Sequence, residues 1–169
     1  MWIPLQRFIQ VIVASLLLGA ATLATAQTTP TARIDGRGLD GKPFDLVTQR
    51  GKVVMVVFWS TACAVCRDTL PELRANYAGW RGKPFELVLV ATDPLRQDVV
   101  DYEKLLERIV PTTSRFPSLW RAEPGHRDGF GAVGQLPATF VLDREGRVVE
   151  RFNGRIPTEA WDRVAELLP

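Results

Sequence analysis

Two runs of the chain, Val53 to Trp59 and Phe85 to Ala91, are almost continuously apolar. A strand covered on one face alternates apolar with polar residues, whereas one covered on both faces need not. The two runs therefore predict central strands of a parallel sheet. Between them Leu70, Leu73 and Tyr77 recur at helical spacing, predicting a helix from about Cys63 to Trp80. Gly79 and Gly82 mark its end, and Pro71 inside it predicts a kink. A second helix is predicted over Asp98 to Val110, with Val99, Tyr102, Leu105, Leu106 and Ile109 on one face and Pro111 as its stop. Pro137 to Leu142 reads as a strand entered through a proline. Asp143 to Gly146 forms a tight turn, and Val148 to Phe152 pairs back antiparallel. Thr158 is placed to cap a final helix with Trp161, Val164, Ala165 and Leu168 inward. Upstream, Ala32 to Leu46 carries two short extended pieces around Gly36, Gly38 and Asp40-Gly41, a hairpin signal. Thr112 to Gly134, rich in Pro and Gly, is the least readable stretch. The order β-β-β-α-β-α-β-β-α implies an α/β fold: a mixed central sheet flanked by helices on both sides, with an N-terminal β-hairpin.

The first residues do not fit this globule. Arg7 precedes an apolar stretch from Phe8 to about Leu23, and Ala24-Thr25-Ala26 supplies a small-x-small site before Gln27. Residues 1–26 read as a secretory signal cleaved after Ala26. The competing reading is an uncleaved membrane anchor over residues 8–26, diluted by Gln10, Ser15, Thr22 and Thr25. Either way residues 27–169 form one exported, periplasmic-type domain, with Gln27 to Thr31 a lead-in. Net charge is +2 over 169 residues with no basic stripe, so nucleic acid is not a suggested partner.

Export changes the meaning of the two cysteines, Cys63 and Cys66, which are the only ones in the chain. Outside the cytoplasm a cysteine pair usually staples a small fold. This pair closes so short a loop that it removes little unfolded-state entropy, so redox exchange explains it better than stability. It sits where the strand ending at Trp59 hands over to a helix. There, unpaired N–H groups and the macrodipole stabilise the thiolate that attacks disulfides. A metal half-site would need two more ligands, which His126 alone cannot supply, so no metal or cofactor is expected. His126 itself reads as an exposed loop residue, Trp120 and Phe116 as core cover, and Arg67 as solvated.

Phe58-Trp59-Ser60-Thr61-Ala62-Cys63-Ala64-Val65-Cys66-Arg67, Leu70-Pro71, and Gly134-Gln135-Leu136-Pro137-Ala138-Thr139-Phe140-Val141-Leu142-Asp143 with Gly146 together resemble the thioredoxin superfamily. More narrowly, they resemble the exported TlpA/ResA-type thiol-disulfide oxidoreductases. The resemblance implies a thioredoxin-like fold in which Cys63 is the nucleophile and Cys66 resolves the mixed disulfide. It further implies that Pro137 is cis, so that the Leu136 backbone pairs with an extended substrate. Trp59 shapes the groove beside the disulfide or simply packs on the core. The implied partners are a protein disulfide, apocytochrome c among the possible clients, and a membrane dithiol donor; a monomer is expected. Ala62, Ala64-Val65, Thr69 and Val57 depart from residues common in relatives. Thr69 and Val57 leave neither usual carboxylate near the buried cysteine. Two other functions stay open: a peroxiredoxin-like thiol peroxidase, for which Ser60 fits a P-x-x-x-[TS]-x-x-C pattern but Val56 does not, and a non-catalytic chaperone or assembly factor.

Overall fold

The computed structural model describes residues 32–111 and 115–169, so the secretory-signal, anchor and lead-in readings lie outside the described residues. Among those residues no helix is long and apolar enough to cross a membrane. Strands β1 (Ile34–Arg37) and β2 (Pro43–Asp45) form the predicted hairpin, with Gly36 opposite Phe44. A 3-10 turn over Leu46–Gln49 follows, capped by Asp45, which accepts from the Val47 N–H at 2.9 Å. Then come β3 (Val53–Trp59), α1 (Ala64–Gly79), β4 (Phe85–Ala91) and α2 (Arg96–Glu107). Pro71 lies within α1 without ending it. The unread segment contributes two short strands, β5 (Ser118–Trp120) and β6 (Arg127–Asp128). Strands β7 (Ala138–Leu142) and β8 (Val148–Asn153) and helix α3 (Glu159–Leu167) complete the chain.

The central sheet is ordered β5-β4-β3-β7-β8, with β3, β4 and β5 mutually parallel and β7 antiparallel to both its neighbours. Every residue of β3 and β4 is buried, as strands covered on both faces require. What covers the two faces differs from the expectation. Val53, Met55, Val57 and Trp59 pack with Leu70 and Leu73 of α1, Val99 of α2, and Trp161 and Val164 of α3. Val54, Val56 and Phe58 pack instead with Ile34, Leu46, Leu119 and Phe140. All three helices therefore line one face, and the small sheet β2-β1-β6 covers the other. The path β3-α1-β4-α2-β5 steps in one direction across the sheet, and two right-handed crossovers made in the same direction place their helices on the same side.

Two helix readings also change. On α2 only Val99 is fully buried, seated beside Tyr102, which meets Trp59 at 5.3 Å between ring centroids; Leu105 and Ile109 are 56% and 73% exposed. Thr158 does not cap α3 through its hydroxyl, because its own backbone is already helical (φ −57°, ψ −37°). Instead α3 is locked to α1 by the Trp161 indole N–H, which donates to Glu72 Oε1 at 2.6 Å; Ala160, Trp161 and Val164 are buried, whereas Ala165 is exposed.

His126 is not an exposed loop residue. Its side chain is buried, with Nε2 3.3 Å from Asp128 Oδ2. Arg121 donates to both Asp128 oxygens at 2.7 and 2.8 Å, while its guanidinium lies 4.8 Å from the Phe58 ring centre. This cluster ties the small sheet to the central one. Burial pushes the Asp128 carboxyl up, but Arg121 and the Phe130 N–H outweigh it and hold the group below the ordinary carboxylate range.

Leu119, fully buried under the small sheet, should lose about 2–5 kcal/mol on replacement by alanine, whereas Leu105→Ala should stay within about 0.5 kcal/mol, both read by urea denaturation. Because the folded Asp128 carboxyl is depressed, its contribution is complete above the unfolded value of about 3.9 and disappears as pH falls through the folded one. Urea midpoints measured from about pH 5 down to pH 2 should therefore fall more steeply for the native chain than for Asp128→Asn.

Candidate active site

Parallel strands β3 and β4 end in register, Trp59 beside Ala91. The residue after β4 tightens this end: the Thr92 N–H and hydroxyl both donate to the Trp59 carbonyl, at 2.8 and 3.0 Å. From here the chain leaves β3 through Ser60, Thr61 and Ala62 to enter α1. Cys63 is the N-cap of that helix, in extended backbone conformation, and its Sγ accepts the Cys66 N–H at 3.1 Å. Cys63 and Cys66 are joined in a disulfide, with Cα atoms 5.2 Å apart. Cys66 is 2% exposed within the helix-covered core, while Cys63 is only partly buried at its edge. The sequence thus supplies an outer sulfur and a shielded inner one.

The turn before Cys63 is held from below by a residue the sequence reading did not single out. Asp93, just past β4 and 2% exposed, receives three donors on its Oδ1: Ser60 Oγ at 3.1 Å, the Thr61 N–H at 2.9 Å and Thr61 Oγ1 at 2.5 Å. Ser60 passes the order onward. Its hydroxyl oxygen accepts from the Ala62 N–H at 3.2 Å and its carbonyl from the Cys63 N–H at 3.1 Å. The signal for Asp93 was present in Thr92-Asp93-Pro94, directly after a predicted parallel strand, at the carboxyl end where such sheets build their sites.

The other sequence-picked residues fall as follows. Trp59 is 1% exposed and packs in the helix-covered core, its ring tilted against Tyr102. Leu136–Pro137 is a cis peptide bond. Pro137 lies one residue beyond the last β3–β7 pair, Phe58 with Ala138, which puts it at the same sheet end as Trp59. Leu136 is half-buried and touches both core layers. Arg67 is not merely solvated: its guanidinium donates to the Thr61 carbonyl. Trp120 and Phe116 are partly buried against the core. The Trp120 indole donates to the Asp93 carbonyl at 2.7 Å, and Phe116 meets Tyr77 edge-on. Burial, reinforced by Glu86, pushes the Tyr77 hydroxyl up to about 12. Thr69, in the carboxylate position of some relatives, is buried and donates to the Val65 carbonyl at 2.7 Å. Asp68 pairs with Arg155 at 3.8 Å on the surface. Among the described residues no three His, Cys, Asp or Glu side chains converge as a metal site would require.

The chain is 28% identical over 117 residues to the thiol-disulfide oxidoreductase ResA of Bacillus cereus, covering 69% of this chain and 63% of that protein. It is also 28% identical over 121 residues to the ResA of Geobacillus thermodenitrificans, covering 72% and 66%. It thus spans just under two thirds of the length of these curated relatives. A thiol:disulfide interchange protein of the thioredoxin family from Chlorobium tepidum has a TM-score of 0.66 and 27% identity, covering 85% of this chain and 98% of that one. The matched family spans residues 25–151, from before β1 to within β8, and so takes in the helix-borne cysteine pair and the proline-led strand. The chain has a thioredoxin-like fold and belongs to the AhpC/TSA family.

Proposed function

We propose that this protein is an extracytoplasmic thiol-disulfide oxidoreductase that reduces protein disulfides through Cys63 and Cys66. The observation that carries this reading is the pair itself: a partly exposed sulfur at a helix N-cap, a backbone N–H aimed at it, and a second sulfur shielded behind it. In the reduced protein that N–H and the helix N-terminus favour a Cys63 thiolate. The thiolate attacks one sulfur of a client disulfide and forms a Cys63–client bond. The electron pair of the broken client bond leaves on the second client sulfur, which takes up a proton. Cys66 then loses its proton and attacks the Cys63 sulfur. The internal disulfide closes and the remaining client sulfur departs as a thiolate. Once that thiolate takes up a proton the client has gained two electrons and two protons; this protein has lost two electrons, the Cys66 proton and the proton that Cys63 released on ionising.

The client meets the site along the backbone of Leu136, before cis Pro137, where an extended segment pairs while its disulfide faces Cys63. Residues 1–26 act as the export signal. Outside the cytoplasm a membrane dithiol resets the pair, and apocytochrome c, whose haem-attachment cysteines must be reduced, is one suitable client. The likeness to proteins named for thiol-disulfide exchange supports this reading.

A Cys66→Ala variant should accumulate a covalent mixed disulfide with its client, released by dithiothreitol and identified by mass spectrometry. No such adduct, together with no reduction of oxidised test proteins by the native chain, would refute the function. In the reduced native protein iodoacetamide should alkylate Cys63 and leave Cys66 largely unmodified until the fold is opened with denaturant.

A further inference from the structure

Four acidic side chains in the described structure are buried: Glu86, Asp143, Asp128 and Asp93. Three have cationic partners, Lys52 at 3.2 Å from Glu86, Arg147 at 2.7 Å from Asp143 and Arg121 at 2.7 Å from Asp128. Asp93, the most deeply buried of them, has no ion-pair partner among the described residues. All three of its side-chain hydrogen bonds go to Oδ1, and buried Oδ2 has no hydrogen-bond partner. A buried carboxylate without a counter-charge costs stability. Uncompensated groups of this kind concentrate at functional sites. The donors that Asp93 does have belong to the two residues that lead into the cysteine motif.

We propose that Asp93 is a positioning residue that keeps the Cys63–Cys66 pair reducing. It does so in two ways: its carboxylate fixes the Ser60–Thr61 turn that presents Cys63, and its buried negative charge behind that turn opposes a Cys63 thiolate. A less stable thiolate makes the reduced form less stable and the pair a stronger reductant. The helix N-terminus and Arg67 act in the opposite sense. Of the remaining charges on the elements around the turn, Asp68 is paired with Arg155 and Arg96 with Glu123. This gives the protein a direction of electron flow without the carboxylates of relatives, whose positions are held by Thr69 and Val57.

The inference rests on the exchange reading above, but its test needs no client, so the two fail separately. The test compares thiolate absorbance against pH in the reduced full chain with the equilibrium position of the pair in glutathione buffers. Asp93→Asn keeps an acceptor for the turn and removes the charge. Thiolate should then form at lower pH, and the equilibrium constant should move roughly threefold or more toward the reduced protein. A Ser60→Ala/Thr61→Val double variant strips the hydroxyl donors and leaves the charge less compensated, so both readouts should move the opposite way. Opposed shifts support the role. Absent shifts, or shifts of the same sign, overturn it and make Asp93 a fold-stabilising residue only. Should Asp93→Asn not fold, the double variant decides alone: a pair that becomes no more reducing overturns the proposal.

Discussion

Parallel pairing of β3 with β4 brings two strand ends together, and everything around the cysteines follows from what leaves them. Trp59 ends one strand and Ala91 the other, with Thr92 donating twice to the Trp59 carbonyl. One exit becomes the turn and N-cap that hold Cys63. The other supplies Asp93 beneath that turn. Full burial of both strands makes this junction rigid: an all-apolar strand cannot slip in register without tearing packed side chains out of both covering layers. The partly exposed Cys63 sulfur therefore sits next to the ends of two fully buried strands.

The two layers over the sheet do different work. The helix side buries large apolar residues and the inner cysteine, and it is cross-tied by the Trp161–Glu72 hydrogen bond and by Trp80 edge-on to Trp161 at 5.7 Å. The opposite side is a three-stranded sheet of short strands that packs Ile34 and Phe44 on the apolar residues beneath it. It holds on through Arg121, which grips Asp128 with two hydrogen bonds and lies over Phe58. A charged pair partly screened from water and lying over an aromatic ring adds a directional tether to that apolar contact. His126 belongs to this tether.

Buried acids mark a further contrast. Glu86, at the far end of β4 from the cysteines, is satisfied by Lys52 and by the Tyr77 hydroxyl at 3.0 Å, and Asp143 by Arg147 and the turn around it. These are structural charges with structural partners. Asp93, just past the cysteine end of the same strand, meets only neutral donors among the described residues and leaves one oxygen bare. A compensated acid thus sits near the start of β4 and an uncompensated one just beyond its end.

The sequence by itself determined the central strands, helix α1, the hairpin and the proline-led β7–β8 unit, because each is written in local terms: unbroken apolar runs, helical spacing, turn residues. The cysteine pair and its place at a helix start were equally legible, since strand, motif and helix are contiguous. Only the tertiary structure decided the rest. Strands β5 and β6 are two or three residues long and exist by pairing with distant neighbours, Leu89 with Ser118 and Ile34 with Asp128, so no local periodicity announces them. Leu105 and Ile109 carry the helical stripe, yet both are exposed. Which face the helices share depends on strand order, which no single segment encodes. Asp93 meets Ser60 and Thr61 from more than thirty residues away, through a junction that parallel pairing alone creates.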